Sequence, residues 1–140
     1  MIVVLDTNVI VSGVLNPFGP PGRILDLVLS GDVLLAYDDR ILAEYRDVLA
    51  RKKFGFDPAP IADLLLYIES EGQHVTAVPL KVELPDPGDV PFLEVAHAAR
   101  ADALVSGNVR HYPLSSRRGI IVLTPADFLA WWQNHHKNHV

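Results

Sequence analysis

Short, unbroken apolar runs rich in β-branched residues recur along this chain, with helical patterns between them. The runs are Ile2-Val3-Val4-Leu5, Val33-Leu34-Leu35-Ala36-Tyr37, Ala103-Leu104-Val105-Ser106 and Ile120-Ile121-Val122-Leu123. A run apolar on both faces suits a strand buried on both sides, which is the environment a parallel sheet provides. His74–Val78 reads as a further strand. A Gly/Pro-rich loop spans residues 16–22, and Ile24, Leu25, Leu27, Val28 and Leu29 suggest a helix stopped by Gly31. Asp38-Asp39 cap a helix whose Ile41, Leu42, Tyr45, Val48 and Leu49 recur at helical spacing. Pro58-Ala59-Pro60 open another, with Ile61, Leu64, Leu65 and Ile68 on one stripe and Gly72 at its end. Pro91 fits the first turn of a helix through Arg100, and Thr124-Pro125-Ala126-Asp127 starts the last one. Strands alternating with helices predict a three-layer α/β fold with a mainly parallel sheet.

The 140 residues suit a single domain, 1–140, without repeat or linker. Apolar residues make up 49%, enough for a core, so disorder is excluded. Twelve basic against seventeen acidic residues give a net charge of −5. That excludes a nucleic-acid binder with a wholesale positive surface, but not an enzyme with a local basic rim. No apolar run reaches the roughly 18 residues of a membrane span. The first residues lack the basic stretch and cleavage site of a signal peptide, so a soluble cytoplasmic protein is expected. Cysteine is absent, which removes disulfides, thiolate zinc sites and cysteine nucleophiles together.

The acids sit at informative places. Asp6 ends the first strand, Glu44 lies early in the helix after the second, and Asp86 and Asp89 directly precede another helix. Asn108 follows the strand 103–106. Ligands of open α/β sheets bind in the crevice beyond the carboxyl ends of the strands, so these residues converge there despite their separation in sequence. Two carboxylates about 4 Å apart repel by roughly 4 kcal/mol at an effective dielectric near 20, so a cluster of three needs a cation or raised pKa values. Hard oxygen donors without His or Cys select Mg²⁺ or Mn²⁺ over zinc. Such an ion can activate water and neutralise charge on a phosphodiester. Asp38 and Asp39 read as helix caps. A receiver-type phosphoacceptor would need an acidic pair where Asp6-Thr7 stands and a Lys where Thr124-Pro125 stands. A haloacid-dehalogenase phosphatase would need Asp where Asn8 stands.

Together, Asp6-Thr7-Asn8 after a buried strand, the Glu44 helix, Asp86-Pro87-Gly88-Asp89-Val90-Pro91-Phe92-Leu93-Glu94 and Leu104-Val105-Ser106-Gly107-Asn108 resemble the PIN-domain family. The likeness covers essentially the whole chain and is greatest to the VapC-like branch, the single-domain toxins of bacterial and archaeal toxin–antitoxin pairs. It implies a five-stranded parallel sheet between helices. It also implies metal-dependent endoribonuclease activity, in which metal-activated water cleaves RNA, and a small antitoxin protein as inhibitor. The resemblance also admits a homodimer.

Carried over by position, Asp6, Glu44 and Asp89 match the family's three acids and would hold Mg²⁺ or Mn²⁺. Asp86 would assist as an acceptor for a metal-bound water. Many relatives carry a fourth Asp where this chain has Asn108, which implies a weakened second metal position. Asn8 would bond Asp6 or a metal-bound water, Thr7 would orient the loop, and Ser12 is a weaker candidate of the same kind. Glu94 matches a subfamily feature, and equally reads as an ordinary helix-surface residue. The alternative is a PIN-fold binding module that lost catalysis through Asn108 and acts by binding a partner or RNA. Asp102 cannot replace Asn108, because it precedes its strand and lies toward the opposite edge of the sheet.

Arg51-Lys52-Lys53 and Arg117-Arg118 read as solvated charge, while Arg110 and His111 are expected at the crevice rim, where RNA phosphates would need a basic contact. Tyr112 reads as a packing residue, with base stacking as the rival role. Of Trp131 and Trp132, one is expected on the core and the other toward a partner. The tail His135-His136-Lys137-Asn138-His139 reads as a frayed end rather than a metal site. An inhibitor is expected to place a basic side chain among Asp6, Glu44 and Asp89 and an apolar stretch in an adjoining groove.

Overall fold

The computed structural model describes residues 1–137, with side chains through His135. Five parallel strands form the sheet: β1 (Ile2–Leu5), β2 (Leu34–Tyr37), β3 (Gln73–His74), β4 (Ala103–Val105) and β5 (Val122–Leu123), in the order β3-β2-β1-β4-β5. Val3 is the hub of the register, paired with Leu35 on one side and Ala103 on the other. Val3, Val4, Leu5 and all of β4 are fully buried, which explains why these runs carry no polar alternation.

Six helices flank the sheet in three layers: α1 (Thr7–Leu15), α2 (Pro20–Leu29), α3 (Asp39–Leu49), α4 (Pro58–Glu71), α5 (Val90–Ala99) and α6 (Pro125–Lys137). α5 packs on β1, β2 and β4, and α6 on β4, β5 and α2. Capping follows the sequence closely. Asp38 accepts the Ile41 amide, Asp57 the Ala59 amide and Thr124 the Asp127 amide.

Three segments differ from the sequence reading. α1 had no place in it, since Val9, Ile10 and Val11 run together as buried residues and the open face, Asn8, Ser12 and Leu15, includes an apolar residue. α2 begins inside the expected loop, because Pro20 and Pro21 occupy first-turn positions that need no amide hydrogen. The preceding loop folds back so tightly that a Cβ on Gly22 would lie 2.3 Å from the Pro17 carbonyl oxygen. β3 is only two residues long, and residues 75–84 continue as irregular extended chain. Asp102 lies where expected, at the amino-terminal edge, exchanging hydrogen bonds of 2.7 Å with the backbone of Ile2.

Candidate metal centre

The carboxyl ends of β1, β2 and β4 open onto a crevice of about 420 Å³. Asp6, Glu44, Asp86, Asp89 and Asn108 all line it, together with Thr7, Asn8, Ser12, Arg51 and His111. Residues separated by as many as a hundred positions thus line one crevice, as the strand-end argument requires, although the group of acids and histidine with ligand atoms within 4.8 Å of one another among the described residues holds neither Asp6 nor Glu44.

Asp6 leaves β1 and immediately precedes α1, its amide bonded to Val105 O at 2.9 Å. One carboxylate oxygen, Oδ2, accepts both the Ser106 hydroxyl at 3.0 Å and the Tyr112 hydroxyl at 3.1 Å. Tyr112 is fully buried, so it packs and positions Asp6 and cannot stack a base. Burial, and then the Asp6 charge, push its phenol far above the usual range, which keeps it a donor. Ser106 Oγ also accepts the Asn108 amide at 3.0 Å, which ties the Asn108 loop to Asp6. Sequence reasoning passed over Ser106 and assigned Tyr112 no contact with an acid; the one available signal was their position at the end of a buried strand and just after Asn108.

Glu44 projects from α3 and accepts a short hydrogen bond from the Thr7 hydroxyl. Thr7 therefore orients the second acid rather than the loop. Asn8 accepts the Gly107 amide at 3.3 Å and so tethers the facing loop instead of bonding Asp6.

Asp89 ends a 3-10 turn, Pro87–Asp89, that leads into α5. Asp86 caps the same turn by accepting the Gly88 amide at 2.9 Å. Only 8% of Asp89 is exposed. Burial first, then the charges of Asp6 and Asp86, raise its pKa from 3.8 to about 6, against the opposing pull of His111. His111 Nδ1 lies 3.1 Å from Asp89 Oδ2. Ligand atoms of Asp86, Asp89 and His111 all fall within 4.8 Å of one another. His111 also stands beside Asp86 and Asp89, because one short 3-10 turn, Val109–His111, carries the chain from Asn108 back over Asp89.

Other expectations resolve away from the crevice. Glu94 is buried, ion-paired with Arg40 at 2.8 Å and accepting the Leu80 amide at 2.7 Å. It is a strut holding the irregular 75–84 segment, neither a surface residue nor part of the crevice. Arg40 also pairs with Asp38 at 2.8 Å. Arg110 is exposed outside the crevice lining, whereas Arg51 lies in it and pairs with Asp47 at 3.2 Å. Arg117 and Arg118 are not merely solvated, since they donate to the carbonyls of Tyr112 and Lys81. Trp131 and Trp132 both pack against the core. Of the histidine tail, only the His135 side chain falls among the described residues, with its Nδ1 3.2 Å from Trp131 O. A larger apolar groove of about 560 Å³ lies between α3 and α4, lined by Leu49, Phe56, Ile61 and Leu65 with Arg46 and Glu69 at its margins. It lacks the chemistry of the acidic crevice, and Phe54, which lines the crevice, stacks on Phe56 at 5.4 Å.

Burial, together with the charges of Asp6 and Asp86, lifts Asp89 toward neutrality and makes a site that a divalent cation suits. The donor set present fits one, with carboxylate and amide oxygens predominating. A crevice at the carboxyl edge of a parallel α/β sheet is where ligands of such folds bind. Residues 2–110 match the PIN domain, and the chain belongs to that family. PIN domains are in general nucleases that use divalent metal. The structure is also similar to a chain of VapBC2 from Rickettsia felis, crystallised with a DNA fragment from their promoter, at a TM-score of 0.55 and 18% identity. That alignment covers 89% of this chain and 98% of the other, and supports the shared fold. No curated protein matches the sequence.

Proposed function

We propose that this chain is an endoribonuclease of the VapC toxin type, dependent on Mg²⁺ or Mn²⁺ and restrained by a small antitoxin protein. The observation that carries the reading is the meeting of Asp6, Glu44, Asp86 and Asp89 in one crevice with Asp89 lifted to about 6. Asp6, Glu44 and Asp89 would hold the cation, with Asp86 beside them and the uncharged Asn108 amide in a fourth position. A cation held there would supply a water nucleophile at neutral pH and offset negative charge on the scissile phosphate.

The protein's own part is positioning. Ser106 and Tyr112 fix Asp6, and Thr7 fixes Glu44, so two of the acids are oriented before any ligand arrives. Arg51 provides a positive group in the crevice for a phosphate of the RNA, which the net charge of −5 would otherwise repel. The antitoxin would insert a basic side chain among the acids and lay an apolar stretch in the groove between α3 and α4. The likeness to a chain of VapBC2 supports a partner of this kind.

Purified protein should cleave RNA with Mg²⁺ or Mn²⁺, stop on addition of EDTA, and resume when the ion is restored. Asp6→Ala or Asp89→Ala should abolish cleavage and leave the circular dichroism spectrum unchanged. Undiminished cleavage in chelator would overturn the reading. Asn108, standing where many relatives carry Asp, favours a second reading, a binding module: RNA held but left intact in either ion would establish it.

A further inference from the structure

The reaction proposed above needs only oxygen ligands, yet His111 stands inside the cluster. Its ring nitrogen and the carboxylates of Asp86 and Asp89 are the group of donors whose atoms come within 4.8 Å of one another. The placement is built into the fold. Asn108 is tied to Ser106, the 3-10 turn follows, and Tyr112, the next residue, is buried and bonded to Asp6. These two anchors fix the backbone on either side of His111 and bring Nδ1 to 3.1 Å from Asp89 Oδ2. His111 is also half-buried rather than free in solvent, so little side-chain freedom remains to be lost on binding an ion.

We infer that His111 is a metal ligand of this chain, joining Asp86 and Asp89 through Nδ1 and tuning the crevice toward transition-metal ions. The inference rests on the metal-dependent reading above and deepens it. An imidazole nitrogen adds little for Mg²⁺, which prefers oxygen, but strengthens binding of Mn²⁺ and, more steeply, of Co²⁺. His111 thereby makes up in nitrogen donation what Asn108 lacks in charge.

The experiment is a calorimetric titration of Co²⁺ and of Mg²⁺ into the full chain without RNA, for wild type, His111→Ala and His111→Gln. The readout is the ratio of the two affinities. A merely structural histidine that steadies the Asp89 charge would weaken both ions together and leave the ratio unmoved. As a ligand, its loss should lower the Co²⁺/Mg²⁺ ratio at least tenfold. Gln, which keeps a polar group near Asp89 but lacks the ring nitrogen, should behave like Ala in that ratio. Pulsed EPR of the Mn²⁺-loaded protein should show nitrogen coupling in wild type and lose it in both variants. An unchanged ratio with no nitrogen coupling in a wild type that binds metal would overturn the role of His111 and leave the metal-dependent reading standing. A wild type that binds neither ion would overturn both.

Discussion

Replacing Asp89 with Asn should stabilise the metal-free protein, and only above a definite pH. The native carboxyl holds its proton more tightly than the unfolded chain, with a pKa of about 6 against 3.8. Charging it therefore opposes folding. The penalty is absent below about 3.8, grows as the pH rises toward 6, and is constant above it. About two pKa units correspond to at most ~3 kcal/mol. Asp89 borders a solvent-filled crevice that screens its charge, which reduces the realistic figure to about 1–2 kcal/mol. Asn removes the charge while keeping an oxygen for the His111 hydrogen bond. For a domain of this size the gain corresponds to a rise in Tm of about 3–8 °C. Thermal melts in EDTA should show that difference at pH 8 and little of it at pH 4.5. Saturating Mg²⁺ should reverse the order. The wild type then gains about 2.7 kcal/mol at a hundredfold excess over its dissociation constant, and the variant offers the ion an uncharged oxygen in place of a carboxylate. A variant no more stable than wild type at pH 8 in EDTA, or equally favoured at pH 4.5, would refute the argument from crowded charge.

Asn108→Asp should tighten Mn²⁺ binding at least tenfold by calorimetry, since a carboxylate near a divalent ion attracts it by several kcal/mol at an effective dielectric near 20, before desolvation offsets much of that. The same variant should melt lower than wild type in EDTA at neutral pH, because one more charge joins the cluster. Glu94→Ala should cost about 1–3 kcal/mol in urea unfolding, leaving the Leu80 amide without its acceptor and Arg40 without one of its two carboxylates. Its affinity for Mn²⁺ should match wild type, because Glu94 lies outside the crevice.

What the sequence made legible was whatever depends on local pattern. Buried strands announce themselves because a doubly covered strand has no polar face to maintain. Asp38 and Thr124 announce themselves as caps because each serves an amide only three residues away. The acids were legible because strand ends are landmarks in sequence and ligands gather there. α1 escaped because its open face, Asn8, Ser12 and Leu15, mixes polar with apolar residues and so leaves no clean stripe in the sequence. The supports of Asp6 escaped for a different reason. Ser106 and Tyr112 stand 100 and 106 positions away, and nothing local to either residue records that a hydroxyl will meet that carboxylate.

Those distant supports explain why the acids of one crevice are not equivalent. Asp6 is served by two hydroxyls that are themselves locked in place, one on each side of the Asn108 turn. Asp89 has one half-exposed histidine beside it and two acids whose charges press on it. The uncompensated charge of the site is therefore concentrated on Asp89, beside the most adaptable donor in the crevice. A proton, a divalent cation or the basic side chain of an inhibitor would each relieve the same strain at the same carboxylate. Occupancy of the crevice by any one of them must weaken the others, by the reciprocity that governs all coupled binding. Regulation by a basic inhibitor then needs no second site, only a group that competes for the charge on Asp89.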